Sequence, residues 1–264
     1  MWNDGSMKMD TASVRQKWAA LVEGGLLAGT WYEARVRYCK VVRYLLGLDR
    51  RLSIIDVGCG TGGCLSVLER LGFVKLFGVE ITIAHVRKAR ERCSAAFYII
   101  AEGERLPFRE KSFDCVISVG AIEHYTDCER GMAELCRVVR KMLVVTSDCY
   151  AWRVMQLLGF YRSFMPVDRA LWPLRFFRLL RNGGMEVVHY DGWGITHYGR
   201  GFRKLVRRLG LTWAEAWTSR AEERTPPELE EIAAPDRQRS IRRWLRLFVL
   251  DENVFCAMRS GMRL

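Results

Sequence analysis

Apolar positions along the first 148 residues fall into two alternating rhythms. "LSIIDVG" (52–58), "VKLFGVEI" (74–81), "AAFYIIAEG" (95–103), "SFDCVISVGA" (112–121) and "KMLVVTSD" (141–148) are continuous apolar runs, the pattern of buried strands. Between them, "GGCLSVLERLG" (62–72), "IAHVRKARERC" (83–93) and "CERGMAELCRVV" (128–139) carry apolar side chains at three- and four-residue spacing, which predicts helices. Gly72 closes the first of these where a left-handed cap is natural. Two more helices are expected ahead of the first strand, in "VRQKWAALVEGG" and "WYEARVRYCKVVRYLLGL", broken at Gly24–Gly25. Strand and helix alternating at this pace predict an α/β fold with a parallel sheet covered on both faces. Right-handed crossovers then make it doubly wound.

The rhythm changes after Asp148. Residues 150–182 hold eight aromatics and six arginines against one acid. Alternation resumes with a strand at 183–192 and a helix near 199–210. A polar, proline-containing linker follows at 225–240, and a final strand at 253–260. The expected organisation is a helical N-terminal cover (1–50), a ligand-binding core (51–149), an inserted aromatic and basic lid (150–182), and the rest of a seven-stranded, mostly parallel sheet (183–264).

Composition narrows this picture in three ways. At 264 residues and 50% apolar, the chain affords a sizeable core. No apolar stretch reaches the roughly 18–20 residues of a membrane span, and "MWNDGSMKMD" lacks a secretory pattern, so the expectation is a soluble, cytoplasmic protein. The nine cysteines form no CxxC pair and no ligand-spaced cluster with histidine, which predicts buried free thiols and no metal site. The formal net charge of +12 implies attraction to something anionic without saying what.

The candidate chemistry starts at "IIDVGCGTGG" (54–63). Gly58, Gly60 and Gly63 fit G-x-G-x-x-G between a strand and a helix, and Glu80 closes the next strand. That spacing suits a dinucleotide or S-adenosylmethionine (SAM). Asp56 separates them, because it stands at the carboxyl end of the first strand. A carboxylate about 5 Å from a pyrophosphate charge costs roughly 3 kcal/mol at an effective dielectric near 20. SAM brings an ammonium and a sulfonium instead, so the acid favours SAM. Glu80 serves either ligand, since it needs only the two hydroxyls of a ribose.

"IIDVGCGTGG", then "GVEI", then "AEGERLPFREKSFDCVISVGAIEHYTD" resemble, in order and spacing, the Rossmann-like class I SAM-dependent methyltransferases. The likeness is greatest to the small-molecule group that contains the ubiquinone- and menaquinone-type C-methyltransferases, over about residues 30–148. It implies SAM as cofactor and S-adenosylhomocysteine as product. By the same resemblance Asp56, Gly58, Cys59 and Gly60 hold the methionine end through side chain and main chain, and Glu80 takes the ribose with Ile81 packed on adenine. Glu102 stands where the family more often has the aspartate that meets the adenine amino group, Gly103 gives the next backbone contact, and Ser118 offers its carbonyl to the ammonium. The chain lacks the family's usual Pro-Gly-Gly turn into strand five.

For the acceptor, His124 in "GAIEHYTD" is the only histidine in a motif position. It suits removal of an acceptor proton, and the competing reading is that Glu123 and His124 only support the cofactor loop. Tyr125 and Tyr150 fit either a pocket wall or ordinary packing, and His189 and His197 read as loop or core histidines. The 150–182 segment fits three partners: a lid over a small apolar acceptor, an anionic membrane surface giving access to a lipid-soluble one, or RNA. Neither the Asn/Asp-Pro-Pro-aromatic signature of amino methylation nor a Pro-Cys nucleophile is present. A small, apolar or amphipathic acceptor is therefore expected, with RNA methylation or non-catalytic SAM binding as the alternatives.

Overall fold

Ile54 and Ile55 point to opposite faces of a strand and both are fully buried, which places that strand, β1 (Ser53–Val57), at the centre of a sheet. The computed structural model describes residues 10–23, 38, 40–148, 173–193 and 252–262. β1 pairs in parallel with β2 (Lys75–Glu80) and β4 (Phe113–Ser118). β3 (Phe97–Ile100) lies beyond β2, and β5 (Val139–Asp148) beyond β4, both parallel to their neighbours. β7 (Glu252–Arg259) runs antiparallel between β5 and the edge strand β6 (Met185–Trp193). The seven-stranded order is β3-β2-β1-β4-β5-β7-β6, a doubly wound and mostly parallel sheet as the pattern predicts.

The described helices are α1 (Thr11–Glu23), α2 (Gly63–Arg70), α3 (Ile83–Arg92), α4 (Cys128–Val138) and α5 (Pro173–Asn182). Asp127 caps α4 by accepting from the Arg130 amide at 3.0 Å. One face of the sheet packs Ile54, Leu76 and Ile117 against Leu65 and Leu68 of α2 and against Val41, Val42 and Leu45. The other packs Ile55, Val116 and Phe255 against Met132 and Leu135 of α4 and Phe176 and Leu180 of α5.

Two expectations need correcting here. Residues 173–182, expected at the end of an inserted lid, form α5, whose Phe176 is fully buried and stacked on Phe255 at a ring separation of 4.3 Å. An i, i+4 pair of large apolar residues serves a sheet-packing helix as readily as a lid. β3 is also four residues long, so Glu102 and Gly103 stand in the loop beyond it. The remainder of the lid segment (150–172), the helix near 199–210, the linker at 225–240 and most of the second N-terminal helix lie outside the described residues.

Seven cysteines are free and buried, as the apolar setting of their positions predicts, and Cys39 and Cys149 lie outside the described residues. Among the described residues no cluster of histidine, cysteine and acidic side chains suits a metal, and no helix is long and apolar enough to cross a membrane.

The strand order reverses between β1 and β4, the switch point at which a doubly wound sheet places its crevice. Gly58, at φ +78°, brings the turns after these two strands together: a Cβ on it would lie 2.5 Å from that of Ala121. On the other side of the sheet Arg259 ties three ends down. Its guanidinium donates to the carbonyls of Cys136 (2.5 Å), Val139 (2.6 Å) and Gly183 (2.8 Å). Arg259→Ala leaves those carbonyls without their charged donor and is expected to cost about 2–4 kcal/mol in urea unfolding.

Candidate functional site

The carboxyl ends of β1, β2, β3 and β4 border a cavity of about 150 Å³. Its floor is the glycine turn, with Gly58 and Gly60 exposed to it, and its side walls are Glu80, Ile81 and His85 from β2 and the start of α3. Glu102, Gly103 and Glu104 contribute from the loop after β3, and Gly120, Ala121, His124, Tyr125 and Thr126 from the turn after β4. α1 closes the top through Val14 and Trp18.

Glu80 organises one side. Its Oε2 accepts from the Gly60 amide at 3.0 Å, and its Oε1 accepts from the amides of Ile81 (3.0 Å) and Thr82 (3.2 Å) and from the Thr82 hydroxyl at 3.3 Å. One carboxylate thereby fixes both the glycine turn and the β2–α3 turn.

Asp56 has the opposite character. It is 2% exposed, and its Oδ1 has no hydrogen-bond partner. Burial, reinforced by the charge of Glu80, pushes its carboxyl up from 3.8 to about 8. Among the described residues no side chain supplies a cation to that oxygen.

The loop after β4 is held by Glu104, whose Oε1 accepts from the Thr126 hydroxyl at 2.8 Å and the Asp127 amide at 2.7 Å. Tyr125 fills a slot between Gly103 and Gly131: a Cβ on either glycine would collide with its ring or hydroxyl. The phenol oxygen is buried and unpaired, and its desolvation raises the pKa well above the usual range. Trp18 meets His124 edge-on at a ring separation of 5.1 Å, and Arg15 stands 3.9 Å from Glu102, so α1 touches two separate loops of the wall.

Of the residues singled out from sequence, Gly58, Gly60, Glu80, Ile81, Glu102, Gly103 and His124 meet at the cavity, and Asp56, Cys59 and Ser118 do not line it. The Cys59 side chain is buried in the core cluster, so that its main chain is the part that stands at the turn. Ser118 is fully buried and donates its hydroxyl to the Val57 carbonyl at 2.9 Å. Tyr125 joins the wall, whereas His189 is exposed on the edge strand against Tyr44, and Tyr150 and His197 lie outside the described residues.

Sequence reasoning missed Val14, Trp18, His85 and Glu104. His124 is not the sole histidine near motif residues, because His85 in the first turn of α3 also reaches the cavity. The available signal was its place five residues after Glu80, at the same end of the sheet.

Residues 55–142 match the family model described as a methyltransferase domain. The rice (Oryza sativa subsp. japonica) 2-methyl-6-phytyl-1,4-hydroquinone methyltransferase 2 is 32% identical over 169 residues, covering 62% of this chain and 43% of that protein. The Salmonella typhimurium malonyl-[acyl-carrier protein] O-methyltransferase is 25% identical over 189 residues, covering 62% of this chain and 75% of its own. The chain thus spans less than half of the rice relative. Among solved structures, the Burkholderia thailandensis 1,6-didemethyltoxoflavin-N1-methyltransferase, crystallised with its substrate and S-adenosylhomocysteine, superposes with a TM-score of 0.59 at 12% identity, covering 99% of this chain and 94% of that one.

The raised carboxyl of Asp56 sets a pH signature. The folded chain keeps that proton to about pH 8 while the unfolded chain loses it near 3.8, so stability falls as pH rises across that window. Asp56→Asn is expected to flatten the slope and to add about 2 kcal/mol at pH 8, read by urea unfolding across pH. With the motifs, the strand order and the cavity walls in place, residues 55–142 match a methyltransferase-domain model, and the sheet has the Rossmann-like fold of the class I methyltransferases.

Proposed function

We propose that the chain transfers a methyl group from SAM to a small apolar or amphipathic acceptor. The observation that carries this reading is Asp56, a dry carboxylate with an unpaired oxygen beneath the glycine turn. The wall adds Glu80, Glu102 and Glu104, and among its described residues there is no lysine or arginine. Such a donor set fits a cationic nucleoside and opposes a pyrophosphate. Gly60 adds room, since a Cβ there would meet nothing within 4 Å.

In this reading Asp56, Gly58, Gly60 and the Cys59 main chain hold the methionine end, with the Ser118 carbonyl toward the ammonium. Glu80 takes the ribose, Ile81 packs on adenine, and Glu102 and Gly103 meet the adenine edge. SAM, when bound, supplies a methyl carbon on an already activated sulfonium. The protein's part is then to position the acceptor and keep water out. Val14 and Trp18 cover the cavity, and His124, held edge-on by Trp18, takes the proton of a hydroxyl or acidic-carbon acceptor.

The named activities of the relatives support a small acceptor, and the phytyl hydroquinone of the rice protein is lipid-like. α5 supports access from an anionic lipid surface, with Arg178 and Arg181 exposed and Leu174 79% exposed on the same helix. The carboxylate wall speaks against RNA phosphate entering the cavity.

Calorimetry tests the cofactor directly. SAM is expected to bind with release of close to one proton at pH 7, as Asp56 ionises against the incoming cation, and NADH is not expected to bind. Asp56→Asn should weaken SAM at least tenfold and abolish the proton release. Tight NADH binding, or SAM binding indifferent to the Asn variant, contradicts the reading. For His124, substitution by alanine is expected to lower kcat by a factor of about 10² or more with SAM affinity within about threefold. A loss confined to SAM affinity assigns His124 to loop support.

A further inference from the structure

We infer that Arg92, at the end of α3, is a positioning residue that holds the glycine turn in the form the cofactor meets. The inference rests on the reading above that SAM binds at that turn. Arg92 Nη1 donates to the Thr61 carbonyl at 3.2 Å and to Thr61 Oγ1 at 2.7 Å, across 31 residues of sequence. Thr61 follows Gly60, which lines the cavity and whose amide donates to Glu80 at 3.0 Å. The turn is thus held at two successive residues, by the carboxylate that closes β2 and by the guanidinium that closes α3. A chain rich in glycine has many conformations open to it, and a ligand must otherwise select one of them at the expense of affinity. Charge-assisted bonds to Thr61 make that selection before the ligand arrives.

The packing of α3 gives Arg92 a fixed base. Gly62, at φ +76°, lies so close to the helix that a Cβ on it would stand 3.0 Å from the Cα and Cβ of the fully buried Ala89. The Tyr98 hydroxyl of β3 lies 3.0 Å from the carbonyls of both Ala89 and Cys93 and ties the last turn of α3 to the sheet. Partial burial lowers the pKa of the half-buried Arg92, the mark of a guanidinium drawn in from water, and the two Thr61 oxygens are what it gains there. Gly63 in turn makes room for the Tyr38 ring, which a Cβ would approach to 2.5 Å. The contacts at Gly62 and Gly63 set where the turn lies. Its orientation is set by the bonded groups: Glu80 fixes the peptide that carries the Gly60 amide, and Arg92 fixes the one that carries the Thr61 carbonyl. The peptide between Gly60 and Thr61 is left standing between two fixed planes.

The test is the affinity of the full chain for S-adenosylhomocysteine by calorimetry, with urea unfolding of the same samples to show that each variant folds. Arg92→Met keeps an unbranched stem and loses the donors, and it is expected to bind about tenfold more weakly. Thr61→Val removes Oγ1 at nearly constant shape and keeps the carbonyl, so a loss of about threefold is expected. Because both changes break one contact, the double variant should stay within about twofold of Arg92→Met, where independent effects would multiply to about thirtyfold. Arg92→Lys, which keeps a cationic donor, should recover most of the affinity. Wild-type affinity in Arg92→Met, losses that multiply in the double variant, or a lysine variant no better than the methionine one overturns the inference and leaves the SAM reading intact. Should Arg92→Met fail to fold, Thr61→Val decides: the threefold loss supports the inference and wild-type affinity overturns it. Failure of the wild type to bind S-adenosylhomocysteine overturns both.

Discussion

Asp56 and Glu80 are acids at the carboxyl ends of adjacent parallel strands, both buried and each within reach of the other's charge. Glu80 is answered by backbone amides and a threonine hydroxyl, and it spends its charge on shaping the glycine turn. Asp56 is left unanswered. Two like charges so placed are tolerated only if one stays protonated or a cation arrives, and among the described residues no side chain supplies such a cation at that oxygen. Glu80, by holding the Gly60 amide, shapes the glycine turn that forms the floor of the cavity beside that unanswered oxygen.

The distribution of charge over the rest of the molecule sharpens the point. The chain carries 42 lysines and arginines against 30 acids. At the described cavity wall the balance inverts, and Arg15 of α1 stands 3.9 Å from Glu102. In the proposed reading the carboxylates of the wall suit a cationic ligand, while the net positive charge of the chain as a whole attracts anionic surroundings.

Residues adjacent in sequence and bound to one strand end were legible without coordinates. The glycine turn, Asp56, Glu80 and the Glu102–Gly103 pair lie at the ends of strongly apolar runs, so period and punctuation alone put them at one edge of a parallel sheet. What was not legible comes from partners far apart along the chain. Trp18 reaches His124 across more than a hundred residues, and nothing in an amphipathic helix says which loop it will cover. Gly131 reads as a weak point in α4 until Tyr125 is seen to need the missing side chain. The apolar periodicity of α5 shows that a face is buried and not what buries it. His85 hid in a helix whose arginines and lysine dominated its appearance.

The ionisation of Asp56 tests the central claim most directly. Selective ¹³C labelling of aspartate carboxyls, with Asp56→Asn to assign the signal, follows that one group by NMR through a pH titration. The account requires a midpoint near 8 in the free protein and an ionised carboxylate across the same range once SAM is bound. A midpoint in the ordinary aspartate range, or a signal that SAM leaves unchanged, would contradict it.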